Sequence, residues 1–185
     1  MDDTALLQGV LDKTAGLVTG VTADDWDKPT PCPEYDVRTL LSHMVGWGGA
    51  FAAAANGRAP DADPSSYQLG EDPAGEFRAA ADDIVRGWRD NGTDREVALG
   101  GPGLPGPMVL NMTLMECLGH GWDLAVATGQ PMPYSDAEAQ AVLDRAIGTL
   151  PDQYRGDGQA FGPAVAVPAD APAIDRFAGF MGRTP

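Results

Sequence analysis

The sequence predicts an all-α fold, a helical bundle in a single domain over residues 1–185, and three observations predict it. Apolar residues recur at helical spacing through successive long segments, each parted from the next by proline, glycine or aspartate clusters. Strand signals are few. No segment repeats another, and 185 residues suffice for one core without calling for a second domain.

The first helix is expected over 2–20, with Leu6, Leu7, Val10, Leu11, Leu17 and Val18 on its inner side and Val21 just beyond. Thr22-Ala-Asp-Asp-Trp26 reads as a short helical turn, capped by Thr22 and anchored to the core by Trp26. Three prolines in Lys28-Pro-Thr-Pro-Cys-Pro33 exclude helix there. Asp36 is a good cap for a second helix that runs to Asn56-Gly57 and turns Val37, Leu40, Leu41, Met44, Val45, Trp47 and Phe51 inward. Residues 57–73 form a surface loop. A third helix follows over 73–90, with Phe77, Ile84, Val85 and Trp88 inward, broken by Asn91-Gly-Thr.

Residues 96–99 are expected to be briefly extended. The Gly/Pro run 100–107 reads as a connector, since it lacks the Gly-Lys-Ser/Thr ending of a phosphate-binding loop. The fourth helix, over 107–128, is apolar on most sides and therefore central; Gly129 and Pro131 end it. Ser135 caps a fifth helix over 135–150, with acidic residues in its first turn. The tail offers an extended stretch, 160–168, and a short last helix, 171–181, closed by Gly182.

Composition narrows the function. The formal net charge of -15 disfavours nucleic acid and anionic membranes, which both need clustered Lys and Arg. No apolar run reaches membrane-spanning length. The acidic start Met1-Asp-Asp-Thr lacks the basic head of a secretory signal, so a cytoplasmic protein is expected. Cys32 and Cys117 make no disulfide framework: Cys117 is expected to be a small buried residue, and Cys32 to pack under the proline-rich turn. A homodimer through an exposed helix face is compatible with the sequence and not required by it.

The chain has two histidines, His43 and His120, each on an apolar helix. Glu116 stands four residues before His120, one turn away on the same face. Two imidazoles and a carboxylate can fill three positions around a divalent ion and leave the rest for water or substrate. A bundle can aim such ligands inward from facing helices. The residues alone leave a second reading open, in which each histidine is partly buried with an ordinary hydrogen bond and Glu116 makes a plain side-chain contact with His120. No separate Ser or Cys nucleophile is required, and no general base stands out. Asp123 reads better as a structural partner of neighbouring helix or loop than as a group orienting His120. Trp47 and Trp122 read as core before cavity wall, and Arg38 as a surface residue before an anion contact.

Three blocks in order carry a resemblance: Thr30-Pro-Cys-Pro-Glu-Tyr-Asp-Val-Arg-Thr-Leu-Leu-Ser-His43; His120-Gly-Trp-Asp-Leu-Ala-Val-Ala-Thr-Gly129; and Phe161-Gly-Pro-Ala-Val-Ala-Val-Pro168 with Asp175-Arg-Phe-Ala-Gly-Phe-Met-Gly-Arg183. Together they resemble the actinobacterial metal-binding proteins grouped with the N-terminal domain of mycothiol-dependent maleylpyruvate isomerase, in the DinB-like superfamily. The resemblance implies a DinB-like four-helix bundle with a long crossover connection, followed here by short C-terminal elements. It implies a divalent ion on His43, Glu116 and His120, zinc first and nickel also compatible. It further implies a metal-dependent enzyme in which the ion activates a low-molecular-weight thiol such as mycothiol for transfer to, or isomerisation of, a small electrophile. The isomerase itself carries a further C-terminal domain, so with the chain ending at Pro185 thiol transfer is the expected branch. The alternatives are a non-catalytic bundle that binds a metal or small ligand in stress response or regulation, and a structural bundle without metal.

Overall fold

The computed structural model describes residues 2–156 and 162–185. Six α-helices dominate these residues: α1 (Asp3–Thr19), α2 (Val37–Ala55), α3 (Pro73–Asn91), α4 (Gly106–Thr128), α5 (Asp136–Thr149) and α6 (Ala173–Phe180). Local chemistry sets their ends. Asp36 accepts a hydrogen bond from the Thr39 N–H at 2.8 Å and starts α2. Asp72 does the same for α3 from the Gly75 N–H at 2.9 Å. Ser135 and Glu138 close a reciprocal capping box on α5. Gly129, at φ 71°, takes the left-handed conformation that stops α4.

The first four helices form the bundle. Both α1 and α2 pack against α3 and α4, so the order around the ring is α1, α3, α2, α4. Helices consecutive in the chain, α1 and α2, therefore stand across the ring, joined by the 20–36 crossover; α3 and α4 are joined likewise through 92–105. The core is continuous, with Leu6, Leu7 and Leu11 of α1, Leu40, Leu41 and Phe51 of α2, Phe77, Ile84 and Trp88 of α3, and Leu110 and Leu114 of α4 all buried. A second layer, α5 and α6, covers the outer side of α4. That cover explains why α4 is apolar on most sides, although Val126 remains half exposed at 50%.

Three regions differ from expectation. The Gly/Pro connector is the turn of a small hairpin: β1 (Glu96–Val97) pairs antiparallel with β2 (Leu104–Pro105). The 57–73 loop is not featureless, because a 3-10 turn at Pro64–Ser66 lies directly on α2. The approach is close enough that a Cβ on Gly46 would sit 2.3 Å from the Pro64 carbonyl oxygen. Trp26 does not enter the core. It lies half-buried under the Arg38 guanidinium, 4.5 Å from ring centroid to Cζ. The buried member of that turn is Asp25, held by the Thr22 N–H at 2.8 Å and by Lys28 at 2.7 Å. In the tail, residues 160 and 161 of the expected extended stretch lie outside the described residues. The rest of it runs along α6, where the Val165 N–H donates to the Gly179 carbonyl at 2.8 Å.

Candidate metal centre

α2 and α4 are neighbours in the ring, and their facing sides bring His43, Glu116 and His120 together. One turn separates Glu116 from His120 along α4, so both project toward α2. The three side chains each offer a ligand atom, and these atoms all lie within 4.8 Å of one another. His43 Nε2 and His120 Nε2 approach the same oxygen of Glu116, each at 3.2 Å. The imidazole rings meet edge to face, 4.8 Å between centroids at 77°.

The other nitrogen of each ring is also held. Asp123, the next turn along α4, accepts a hydrogen bond from the His120 Nδ1–H at 3.0 Å. Asp123 is itself fully buried and receives two hydrogen bonds from Arg183, Nε to Oδ1 at 3.2 Å and Nη2 to Oδ2 at 2.7 Å. The orienting role that sequence reasoning placed second for Asp123 is therefore the contact the structure makes. At His43, the Tyr35 hydroxyl lies 3.1 Å from Nδ1. A hydroxyl can donate or accept, so it suits either tautomer of the ring.

Burial and hydrogen bonding compete here. Burial pulls the His120 imidazolium toward losing its proton, but the bonds from Asp123 and Glu116 outweigh it and raise the pKa to about 9. Burial raises the Glu116 carboxyl, while His120 and His43 pull it further the other way, well below the usual carboxylate range. Asp123 is likewise lowered: burial opposes, and His120 and Arg183 prevail. Burial pushes up the Cys117 thiol, in keeping with a small packed residue.

Beside the three side chains lies a cavity of about 240 Å³. Trp47, Phe51, Met112 and Met115 give it an apolar wall, Tyr35 and Cys32 come from the 20–36 crossover, and Met181 and Arg183 from the tail. Cys32 thus borders the cavity, and burial raises its thiol pKa. Trp47 is partly exposed against the His43 ring, 6.2 Å away, and belongs to the cavity wall; Trp122 is buried as expected. Sequence reasoning assigned no role to Tyr35, Met181 or Arg183. All three fall inside the family-like blocks, which was the one signal they carried.

Comparison with known proteins places the chain. Residues 7–125, which include all three clustered residues, match the family described as the mycothiol maleylpyruvate isomerase N-terminal domain. Two proteins of Mycobacterium tuberculosis, from strains CDC 1551 / Oshkosh and ATCC 25618 / H37Rv, are each 31% identical over 185 residues, 100% of this chain and 99% of theirs; both are described as uncharacterized. No solved structure matches the chain. With the helical fold, the matched region and full-length similarity in agreement, the chain belongs to the mycothiol maleylpyruvate isomerase N-terminal domain family.

Proposed function

We propose that the protein is a divalent-metal-dependent enzyme that activates a low-molecular-weight thiol, mycothiol by family, for transfer to or isomerisation of a small electrophile. The observation that carries the reading is the convergence of two imidazole nitrogens on one carboxylate oxygen at 3.2 Å each, beside an open cavity. The donor set fits an ion: two Nε2 atoms and a carboxylate oxygen suit zinc, and nickel is compatible. Each ring also has the outer hydrogen-bond partner that metal-bound histidines characteristically keep.

His43, Glu116 and His120 are assigned as the ligands. A bound ion would lower the pKa of a coordinated thiol and so supply the nucleophile at neutral pH. Asp123 holds the His120 ring with its Nε2 toward Glu116 and keeps that ring electron-rich. Tyr35 fixes His43. The apolar wall of Trp47, Phe51 and the methionines excludes water from an arriving electrophile. Open space next to the cluster favours catalysis over simple storage of an ion, because a reacting molecule needs room there.

The test is metal content by mass spectrometry on tag-free protein. About one equivalent of zinc or nickel in the native chain, lost in folded His43→Ala and His120→Ala, is the expected result. Native protein that holds no metal and takes up neither ion on addition overturns the reading.

A further inference from the structure

His43 and Tyr35 border two spaces, not one. On one side is the apolar cavity of about 240 Å³. On the other, a groove of about 480 Å³ runs from these two residues along the first turns of α2 to the 64–69 strap. We infer that this groove seats the polar body of the thiol cofactor, leaving the apolar cavity to the electrophile. The inference rests on the thiol-activating reading and assigns its two reactants to separate compartments.

Size decides first. Sites for ligands of this order occupy roughly 300–1,000 Å³. The cavity falls below that range and holds only a small molecule, whereas the groove lies within it and has room for a thiol carried on a sugar-like body. Lining chemistry points the same way. The groove presents the Thr39 and Ser42 hydroxyls and the Arg38 guanidinium from α2, with Ser65 and Gln68 from the strap. A hydroxyl-rich ligand gives up hydrogen bonds to water on entering, and these groups can replace them. The cavity offers fewer such groups: tryptophan, phenylalanine and methionine make up much of its wall, with Glu34, Tyr35 and Arg183 at its polar side.

Two features keep the groove in shape. Arg38 is stacked over Trp26, 4.5 Å from the ring centroid, which limits where its guanidinium can point. The strap rests on α2 at Gly46, where there is no room for a Cβ. A sulfur at the inner end of a ligand in this groove must pass His43 and Tyr35 to reach the clustered ligands. It then meets whatever occupies the apolar cavity.

Cobalt(II)-substituted protein, titrated with mycothiol and separately with 2-mercaptoethanol, tests the assignment through thiolate-to-cobalt charge-transfer absorption. Mycothiol has both thiol and polar body; 2-mercaptoethanol has almost only the thiol. Ser42→Trp fills the groove, and Gln68→Ala removes a carboxamide from an exposed position. Expected are a rise of about a hundredfold in the mycothiol dissociation constant for Ser42→Trp and about fivefold for Gln68→Ala, with 2-mercaptoethanol unchanged. A mycothiol constant unchanged in both variants, or mycothiol binding no tighter than 2-mercaptoethanol, overturns the groove while the thiol reading stands. Failure of both thiols to give the absorption in cobalt-loaded wild type overturns the thiol reading, and the groove with it.

Discussion

His120 is gripped from both ends, by Asp123 at Nδ1 and by Glu116 at Nε2, and this gives the site a measurable proton dependence. Its folded pKa, about 9, lies above the ordinary 6.5, so the stabilisation is complete below about pH 6.5 and is lost as pH rises through 9. An ion can reach Nε2 only after displacing that proton. Apparent zinc affinity, measured by chelator competition, should therefore climb about tenfold per pH unit up to about 9 and then level off. In Asp123→Asn the levelling should begin at lower pH, with affinity at the plateau reduced about 10- to 100-fold. The three clustered residues were legible in the sequence because i,i+4 spacing and apolar helix faces are local signals. Tyr35 and Arg183 were not. Each reaches the site from a segment without helical periodicity, and only the packed molecule sets how close it comes.

Among the elements, those with chemical punctuation were read almost to the residue: α2 from Asp36, α4 to Gly129, α5 from Ser135. The strap and the hairpin were read less well: the strap depends on its contact with α2, and the hairpin pairs strands of two residues each, too short for alternation to show. Trp26 shows the same limit: its size predicts burial, but the turn that bears it leaves the ring half-exposed under Arg38. The strap can be tested at Gly46. Alanine gains about 1 kcal/mol of helix propensity over glycine. It also forces a Cβ to within 2.3 Å of the Pro64 carbonyl, and overpacking of that kind costs about 1–3 kcal/mol. The clash is expected to win narrowly, so Gly46→Ala should lower the thermal midpoint by a few degrees. A raised midpoint would show that the strap yields freely and is no fixed wall.

At the scale of the whole molecule, the site draws on α2, the 20–36 crossover, α4 and the tail beyond α6, so it assembles only when the bundle and its outer layer are both in place. Arg183 carries the tail's contribution. Replacing it by leucine leaves the buried Asp123 with His120 as its remaining charged partner. The expected loss is about 1.5–3 kcal/mol in denaturant unfolding, together with weaker zinc binding. An unchanged midpoint and unchanged affinity would make Arg183 a bystander. The separation of 73 positions along the chain between His43 and Glu116 gives their meeting a further meaning. An ion gripped by both would close a long loop, as a covalent cross-link does. If the ligands keep their hold as the helices come apart, the unfolded chain is left with fewer conformations, and part of the stabilisation arises in the disordered state and not in any contact of the folded one.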